Sequence, residues 1–226
     1  MRMSITRSGS ITQQENSVQG RGQAAADPRI AFFDHHAPGW DADPGEVART
    51  LARLRELRGD IGLRPGRNVL EAGCGTGRIT GWLAETVQPG RVTAVDFSPA
   101  MLRQARARGM NASFRLFDIC GETPMEEQFD VVLCFHAFPH FRDKFRALRN
   151  IRNLLAPGGQ LVILHLAGSA ELKEFHSRLS HPICHDHLPP QDLWPEMLAG
   201  CGLQLVSLTD EPGLFLLKAA SSSMKQ

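Results

Sequence analysis

The chain has 226 residues, of which 42% are hydrophobic, and its formal net charge is +1 at pH 7. This length favours one large domain, and the charge argues against a general nucleic-acid binder, which carries a strong basic excess. The longest apolar runs fall far short of the roughly 20 residues that a membrane-spanning helix needs. The five cysteines form no CxxC pair, so a disulfide framework and a zinc knuckle are not expected. We therefore expect a cytoplasmic protein whose partner is a small molecule.

Residues 1–26 are rich in Ser, Gln, Gly and Thr and show almost no apolar periodicity. A segment of this composition buries too little apolar surface to offset the entropy lost on ordering. It is predicted to be a disordered tail, and residues 27–226 are predicted to form the domain. Within that domain, an amphipathic helix is predicted over 47–57, where leucines recur at helical spacing after Pro44.

Beyond residue 66, short apolar runs alternate with helical stretches, which predicts repeated βα units. The strands are predicted at 68–72, 91–95, 112–117, 129–135 and 160–166, and the helices between them at about 77–87, 98–108 and 141–155. Such units form an α/β fold with a doubly wound, mainly parallel sheet that is covered by helices on both faces.

Two further strands, at 203–208 and 214–219, complete a predicted sheet of seven strands. The connection between them, 209–213, is too short to hold a crossover helix. The last strand is therefore predicted to run antiparallel to its neighbour. A helix is predicted before them, at about 191–200, just after the Pro189-Pro190 pair.

The most specific signal is a glycine-rich turn, Glu71-Ala-Gly-Cys-Gly-Thr-Gly77, which directly follows a strand and precedes a helix predicted to begin near Gly77. Glycines let the backbone approach a ligand closely, and a helix N-terminus presents free N–H donors. Asp96 ends the next strand 19 residues after Gly77. This is close to the offset of about 20 residues expected for an acid that binds ribose hydroxyls. The pattern indicates a nucleoside ligand.

Charge narrows the choice of nucleoside. A dinucleotide places its pyrophosphate against the first helix N-terminus, where the carboxylate of Glu71 would repel it. Glu71 instead suits a cationic ligand. The glycines also follow GxGxG rather than GxGxxG, because Arg78 follows Gly77. Both features weaken the interpretation as a dinucleotide-dependent oxidoreductase.

Five motifs follow one another in the order of a known family. They are the loop 71–77, Val95-Asp-Phe-Ser-Pro-Ala-Met-Leu102, Phe117-Asp118, Phe129-Asp-Val-Val132 and Leu154-Leu-Ala-Pro-Gly-Gly159. In these motifs the chain resembles the class I S-adenosylmethionine-dependent methyltransferases, specifically their small-molecule "type 11" group. The resemblance extends from about Phe32 to Ala219, and several ordered motifs are far more specific than a glycine pattern alone.

The resemblance implies S-adenosyl-L-methionine as the cofactor and assigns roles to its binding residues. It implies that the loop 71–77 holds the methionine part, that Asp96 binds the ribose diol and that Asp118 binds the adenine amino group. Phe97 and Ile119 would sandwich the adenine. The residues implied to bind the cofactor are Glu71, Gly73, Cys74, Gly75, Gly77, Asp96, Phe97, Met101, Asp118, Ile119, Phe135 and Trp40. Alternatively, Phe97 is a core residue and Asp118 is a helix N-cap.

The acceptor side carries two candidate catalytic residues, His136 and His140, which follow the fourth strand. A histidine there could accept a proton from the methyl acceptor. The alternative is that both histidines bond to the backbone and shape the loop, and the sequence does not distinguish one from the other. A base is optional, since in-line displacement can rest on near-attack geometry.

Two flanking segments are candidates for closing the site. The segment Ala31–Asp41 resembles the family's N-terminal aromatic segment within a predicted lid region at 27–60, and Trp40 is interpreted equally well as a lid or as a hydrophobic anchor. The segment 171–194 is predicted to be an insertion that sets acceptor specificity. It contains four histidines with Cys184 and Asp186, but their spacing favours a polar acceptor pocket or a solvated loop over a metal site.

The predicted function is methyl transfer from S-adenosylmethionine to a small-molecule nucleophile. The alternatives are a nucleotide-binding oxidoreductase and a catalytically silent S-adenosylmethionine-binding regulatory protein, because fold and cofactor loop do not guarantee chemistry. A nucleic-acid methyltransferase is disfavoured, since no basic tract and no Asn/Asp-Pro-Pro-aromatic motif follows the fourth strand.

Overall fold

The structure is a computed structural model that describes residues 27–222. The disordered tail predicted at 1–26 lies outside these residues. No helix within the described range combines the length and the apolar character that crossing a bilayer requires.

A seven-stranded sheet forms the centre of the described chain, in the order β3-β2-β1-β4-β5-β7-β6. The strands are β1 (Val69–Ala72), β2 (Val92–Asp96), β3 (Ser113–Leu116), β4 (Phe129–Phe135), β5 (Leu155–His165), β6 (Leu203–Glu211) and β7 (Leu214–Ser221). The first five run parallel, and β7 is antiparallel to both β5 and β6. The predicted seven-stranded, mainly parallel sheet with an antiparallel last strand is confirmed.

Helices cover both faces of this sheet. They are α1 (Pro28–His36), α2 (Pro44–Glu56), α3 (Arg58–Ile61), α4 (Thr80–Val87), α5 (Pro99–Ala107), α6 (Lys144–Leu154), α7 (Ser169–Ser177) and α8 (Trp194–Ala199). On one face, Leu148 of α6 and Trp194 pack against the sheet in a buried cluster. On the other face, Leu54 of α2 and Leu83 of α4 do the same.

Three helices were not predicted, namely α1, α3 and α7, and of these α1 and α7 flank the site described below. Helix α1 has an N-terminal signal, Asp27 followed by Pro28, and the Asp27 side chain accepts the N–H of Arg29. Helix α7 begins after Gly168, whose N–H bonds to the carboxylate of Glu171. Each of α1 and α7 is only nine residues long, and its apolar residues recur only weakly at helical spacing. The sequence therefore showed no clear helical pattern in either segment.

Several predicted boundaries were wrong by three residues or more, and two of them concern the elements next to the glycine loop and β4. The helix after the glycine loop begins at Thr80 rather than near Gly77, because residues 76–79 form turns before the helix starts. Strand β5 begins at Leu155 rather than at 160, because Leu155 already pairs with Phe129 of β4 before a register shift. Neither change moves the ends of the strands at which ligands bind.

The order of the sheet reverses between β1 and β4, since the chain winds outward to β2 and β3 and then returns. In open α/β sheets, ligands bind at the carboxyl ends of the strands beside this reversal. The fold therefore places the glycine loop after β1, Asp96 at the end of β2 and His136 after β4 along one edge.

Candidate active site at the reversal of the strand order

A cavity of about 730 Å³ lies at this edge of the sheet. Of the residues predicted to bind the cofactor, Gly77 does not line the cavity and the other eleven do. These eleven are Glu71, Gly73, Cys74, Gly75, Asp96, Phe97, Met101, Asp118, Ile119, Phe135 and Trp40. Both candidate catalytic residues, His136 and His140, also line it. Segments far apart in the chain thus meet around one space.

The glycine loop is held in a shape that side chains would prevent. Gly73 has φ +80°, and a Cβ atom there would lie 2.5 Å from the Cβ of Ala137, so the loop packs directly on the turn after β4. Gly77 has φ +78°, and its Cβ would lie 2.6 Å from Cε of Met110. Gly77 therefore packs the loop against the protein, and its predicted contact with the cofactor stays a prediction.

Asp96 ties the glycine loop to the end of β2. Its Oδ2 accepts the N–H of Gly75 at 2.8 Å, and its Oδ1 accepts the N–H of Ser98 at 2.8 Å. Burial raises the pKa of Asp96 to about 6, although these backbone hydrogen bonds oppose the shift. Each carboxylate oxygen has a second lone pair, so Asp96 has capacity to accept hydrogen bonds from a ligand as well.

Glu71 lies beneath the loop, buried at the end of β1, and its Oε2 accepts the hydroxyl of Thr80 at 2.6 Å. Burial raises the pKa of Glu71 to about 8, because desolvation outweighs the hydrogen bond from Thr80. Two desolvated carboxyl groups, Glu71 and Asp96, thus line the cavity. A positively charged ligand would stabilise both as carboxylates, whereas a pyrophosphate would be repelled by ionised Asp96 and would favour the protonated form of Glu71.

Asp118 is a third carboxyl group that lines the cavity. Its Oδ1 accepts the N–H of Cys120 at 2.8 Å, and its Oδ2 forms an ion pair with Arg142. No helix begins between Asp118 and β4, so the alternative that Asp118 is a helix N-cap was wrong. Phe97 is half-buried, lines the cavity and packs against Phe33 with ring centroids 5.7 Å apart.

The N-terminal segment is fixed across the cavity by two carboxylates that sequence reasoning missed. Asp34 accepts the hydroxyl of Ser98 at 2.5 Å and the N–H of Ala100 at 3.0 Å. Asp41 accepts the hydroxyl of Thr76 at 2.5 Å and pairs with Arg78 at 2.6 Å. Because neither acid belongs to a periodic pattern or a motif, only the folded chain reveals these bonds.

Trp40 lies between these two anchor points. It lines the cavity, remains 39% exposed and packs edge-on against Phe33 with ring centroids 5.6 Å apart. Its position at the cavity is consistent with a lid, and its contact with Phe33 is consistent with an anchor. Both interpretations of Trp40 therefore apply to the same side chain.

The structure separates the two candidate histidines. The Nδ1 of His140 lies 2.9 Å from Oδ2 of Asp186, and Arg29 of α1 bonds the same carboxylate through Nε at 2.9 Å and Nη2 at 2.5 Å. Burial raises the pKa of Asp186, but the hydrogen bonds from His140 and Arg29 outweigh it and bring the pKa to about 2. An ionised carboxylate only accepts, so Nδ1 of His140 carries the hydrogen and Nε2 has a free lone pair when the ring is neutral.

His136 has a different environment. It adopts φ +52°, an unusual backbone conformation for a residue with a side chain, and exposes its ring to the cavity. Desolvation by the surrounding cavity wall, together with the charge of Arg78, lowers the pKa of His136 to about 4. No carboxylate bonds its ring, and its Nε2 makes one long contact of 3.4 Å with the N–H of Leu166.

Two further histidines line the cavity. His165 ends β5 and is 1% exposed, and neither of its ring nitrogens has a hydrogen-bond partner. His176 of α7 is buried as well, and its Nδ1 has no partner. The ring centroids of His136 and His165 lie 5.1 Å apart, as do those of His140 and His176. The position of His165 at a strand end was the available signal for it, and it was overlooked.

The histidine-rich segment is thus divided between the cavity and the surface. His176 lines the cavity, and Asp186 supports His140, whereas His181 and His185 are exposed. Within residues 27–222, no group of three or more His, Cys, Asp or Glu side chains is arranged to hold a metal ion. The part of this segment nearest the cavity is helix α7 rather than the solvated loop considered from the sequence.

Comparison with known proteins gives a consistent result. Residues 69–159 match the family described as a methyltransferase domain. The biotin biosynthesis bifunctional protein BioCD of Bordetella avium is 34% identical over 72% of this chain and 32% of its own length. The ubiquinone biosynthesis O-methyltransferase of Xanthomonas campestris is 31% identical over 55% of this chain and 54% of its own length. The chain thus spans about a third to a half of the length of these relatives.

A solved structure described as a complex of DhpI with SAH shares the fold. It superimposes with a TM-score of 0.65 at 23% identity, covering 86% of this chain and 95% of that one. The matched domain, the methyltransferase relatives and the ordered motifs support a class I S-adenosylmethionine-dependent methyltransferase family for this chain, and the superposition shows the shared fold. S-adenosyl-L-methionine is the cofactor of that family, and the carboxyl-lined cavity of this chain fits a cationic nucleoside.

Proposed function

We propose that this protein transfers the methyl group of S-adenosylmethionine to a small-molecule acceptor by in-line displacement. The observation that carries the proposal is that one cavity joins the Glu71 and Asp96 carboxyl groups to the His140–Asp186 pair. The Glu71 and Asp96 carboxyl groups suit a cationic nucleoside. The His140–Asp186 pair suits removal of a proton from a nucleophile. Relatives named for small-molecule biosynthesis support this class of acceptor.

The cofactor end of the cavity is formed by residues 71–75, Asp96 and Asp118. We propose that the glycine loop holds the methionine part, that Asp96 accepts hydrogen bonds from ribose hydroxyls and that Asp118 accepts one from the adenine. When bound there, the cofactor supplies a methyl group on a positively charged sulfur. Glu71 then stabilises that positive charge from below the loop as a carboxylate.

The acceptor end supplies a base. In the proposed reaction, Nε2 of His140 takes the proton of the acceptor, and Asp186 fixes the ring through Nδ1 and stabilises the imidazolium that forms. Arg29 holds Asp186 in place by a two-pronged hydrogen bond. His136 is disfavoured as the base, because the cavity wall disfavours its charged form.

We further propose that residues 27–60 act as a lid and that residues 171–194 set acceptor specificity. The first region is bonded to the glycine loop through Asp41 and to the start of α5 through Asp34, and the second contributes α7 to the cavity wall. Covering the site excludes water and strengthens the electrostatic interactions inside it.

Calorimetric titration with S-adenosylmethionine, S-adenosylhomocysteine and NAD tests the proposal. The first two are expected to bind with micromolar dissociation constants, and NAD is expected not to bind. Binding of NAD alone would support the oxidoreductase alternative. Binding of S-adenosylmethionine, with no methyl transfer to any member of a broad panel of small-molecule nucleophiles, would support the silent regulatory protein.

A further inference from the structure

The acceptor end of the cavity has mainly apolar walls. Phe33 of α1 packs against His140 with ring centroids 5.2 Å apart and lines the cavity, as do Leu172 and Phe175 of α7, the helix that also carries His176. Aromatic rings favour flat partners that can stack on them or meet their edges. A flat, apolar molecular body therefore complements this end of the cavity.

The charged side chains that line the cavity away from its cofactor end are already neutralised or bonded. Arg78 is paired with Asp41 and Glu46. Arg142, at the border of the cofactor end, is paired with Asp118. Glu171 accepts the N–H groups of Gly168 and Gly213, each at 2.7 Å. Glu171 keeps its negative charge but is exposed, so solvent screens it and it is a weak partner for a charged acceptor. A charged acceptor would therefore find no buried, unpaired counter-ion among these side chains.

Imidazole rings supply the polar groups of this space. His136 exposes its ring to the cavity, while His165 and His176 are buried in its wall with ring nitrogens that lack partners. Burial and the neighbouring positive groups lower the pKa of each of the three, so these rings are neutral near pH 7. A neutral imidazole has one donor and one acceptor, which complements a hydroxyl group.

We propose that the acceptor is an uncharged molecule with a flat, apolar body and a hydroxyl nucleophile, and that His136, His165 and His176 recognise its polar groups. The inference rests on the proposed methyltransferase function and names its substrate class. In the reaction, a bond forms between the acceptor oxygen and the methyl carbon while the carbon–sulfur bond breaks and its electron pair remains on sulfur. The hydroxyl proton goes to Nε2 of His140.

Three phenols that differ only in charge test this inference. They are 4-hydroxybenzamide, which is neutral, 4-hydroxybenzoate, which is an anion, and 4-(aminomethyl)phenol, which is a cation at pH 7.5. Binding to the protein saturated with S-adenosylhomocysteine is measured by ligand-detected NMR titration. The neutral probe is expected to bind at least about tenfold more tightly than either charged probe, because a charge would be desolvated without a partner.

Histidine variants locate the binding site of the probe. His136→Asn keeps a residue that tolerates positive φ, and His176→Phe keeps a ring without polar nitrogens. Each is expected to weaken binding of 4-hydroxybenzamide by about fivefold or more, through loss of a hydrogen bond, while S-adenosylhomocysteine affinity changes by less than about twofold. His185→Asn, a matched change at an exposed histidine outside the cavity, is expected to leave both affinities unchanged.

The outcomes separate the inference from the function on which it rests. Equal or tighter binding of a charged probe would overturn the inference, and so would failure of all three probes to bind the S-adenosylhomocysteine complex. Unchanged probe affinity in both histidine variants would overturn the assigned recognition residues. If S-adenosylhomocysteine itself does not bind the folded protein, the proposed function fails first, and the substrate class fails with it.

Discussion

The two ends of the cavity are built in different ways. The cofactor end is formed by backbone turns that directly follow β1 and β2, and Asp96 joins them over a separation of 21 residues. The acceptor end depends on side chains from distant segments, since Arg29 and Asp186 meet across 157 residues. A local turn carries its own geometry, whereas the His140 environment exists only when α1, β4 and the segment after α7 are all in place.

The two ends also differ in charge. Carboxyl groups with pKa values raised by burial lie at the cofactor end, at Glu71 and Asp96. Neutral imidazoles lie at the acceptor end, where burial lowers the pKa values of His136 and His165. One end therefore suits a cation, and the other matches the uncharged acceptor proposed above.

Replacing His140 should have the largest effect and should be confined to the acceptor end. His140→Ala is expected to lower turnover by roughly 10² to 10⁴ with little change in cofactor affinity, because a general base acts only in the chemical step. Turnover with an identified acceptor and calorimetry with S-adenosylhomocysteine provide the two readouts. His185→Ala is the matched control at an exposed position. Normal turnover in His140→Ala would remove it as the base and leave catalysis to proximity and orientation.

The next effect is expected at the cofactor end. Asp96→Ala should weaken cofactor binding by roughly 1.5 to 3 kcal/mol, since it removes charge-assisted hydrogen bonds. Part of this loss comes from the loop, because Asp96 also accepts the N–H of Gly75. Asp130→Ala is a suitable control, as Asp130 also accepts a backbone N–H, that of Asn68, but does not line the cavity. An unchanged dissociation constant in Asp96→Ala would exclude it from the site.

Cofactor binding should be linked to a proton on Glu71. Its pKa of about 8 means that the carboxyl is largely protonated at pH 7 in the free protein, and a bound cation favours the carboxylate. Binding at pH 7 is therefore expected to release up to about one proton, seen as a dependence of the calorimetric enthalpy on the ionisation enthalpy of the buffer. In Glu71→Gln this release should be lost. No release in the native protein would contradict a direct electrostatic role for Glu71.

The same group should make the free protein less stable as the pH rises. The pKa of Glu71 is raised from 4.5 to about 8 on folding, so the folded state binds more protons than the unfolded state between these values. The free energy of unfolding should then fall with rising pH across this window. Thermal unfolding is expected to show this decline between about pH 6.5 and 8, above the range in which Asp96 and the buried histidines titrate, and Glu71→Gln should flatten it there. An identical pH dependence in both proteins would rule out Glu71 as its source.

The smallest effect is expected at Trp40, which touches the cavity from the N-terminal segment. Trp40→Ala should weaken cofactor binding by only a few-fold, because the loss is about 0.5 to 1.5 kcal/mol for its edge-on contact with Phe33. Phe145→Ala removes another exposed aromatic side chain that does not line the cavity, and it should leave affinity unchanged. A loss of a hundredfold or more in Trp40→Ala would mean that Trp40 is a principal cofactor contact.

The sequence predicted the cofactor end well because its signals are local. A glycine that needs positive φ, an acid at the next strand end and an apolar strand before each turn are all visible in short windows. Gly77 shows the limit of that reasoning, since the sequence pattern did not reveal that Gly77 lies against Met110. The glycine-loop pattern predicted that a glycine is needed at position 77. It did not predict which neighbouring side chain makes the glycine necessary.

By itself, the sequence determined the α/β sheet, its antiparallel last strand and the family's ordered motifs, because hydrophobic period and turn chemistry act over a few residues. Only the tertiary structure distinguished His140 from His136, since the difference lies in Asp186 and Arg29, which belong to other segments of the chain. It also brought His165 and His176 to the acceptor end. The charge state of a side chain depends on the groups that surround it in space. Those groups belong to distant segments of the chain and become neighbours only when the protein folds.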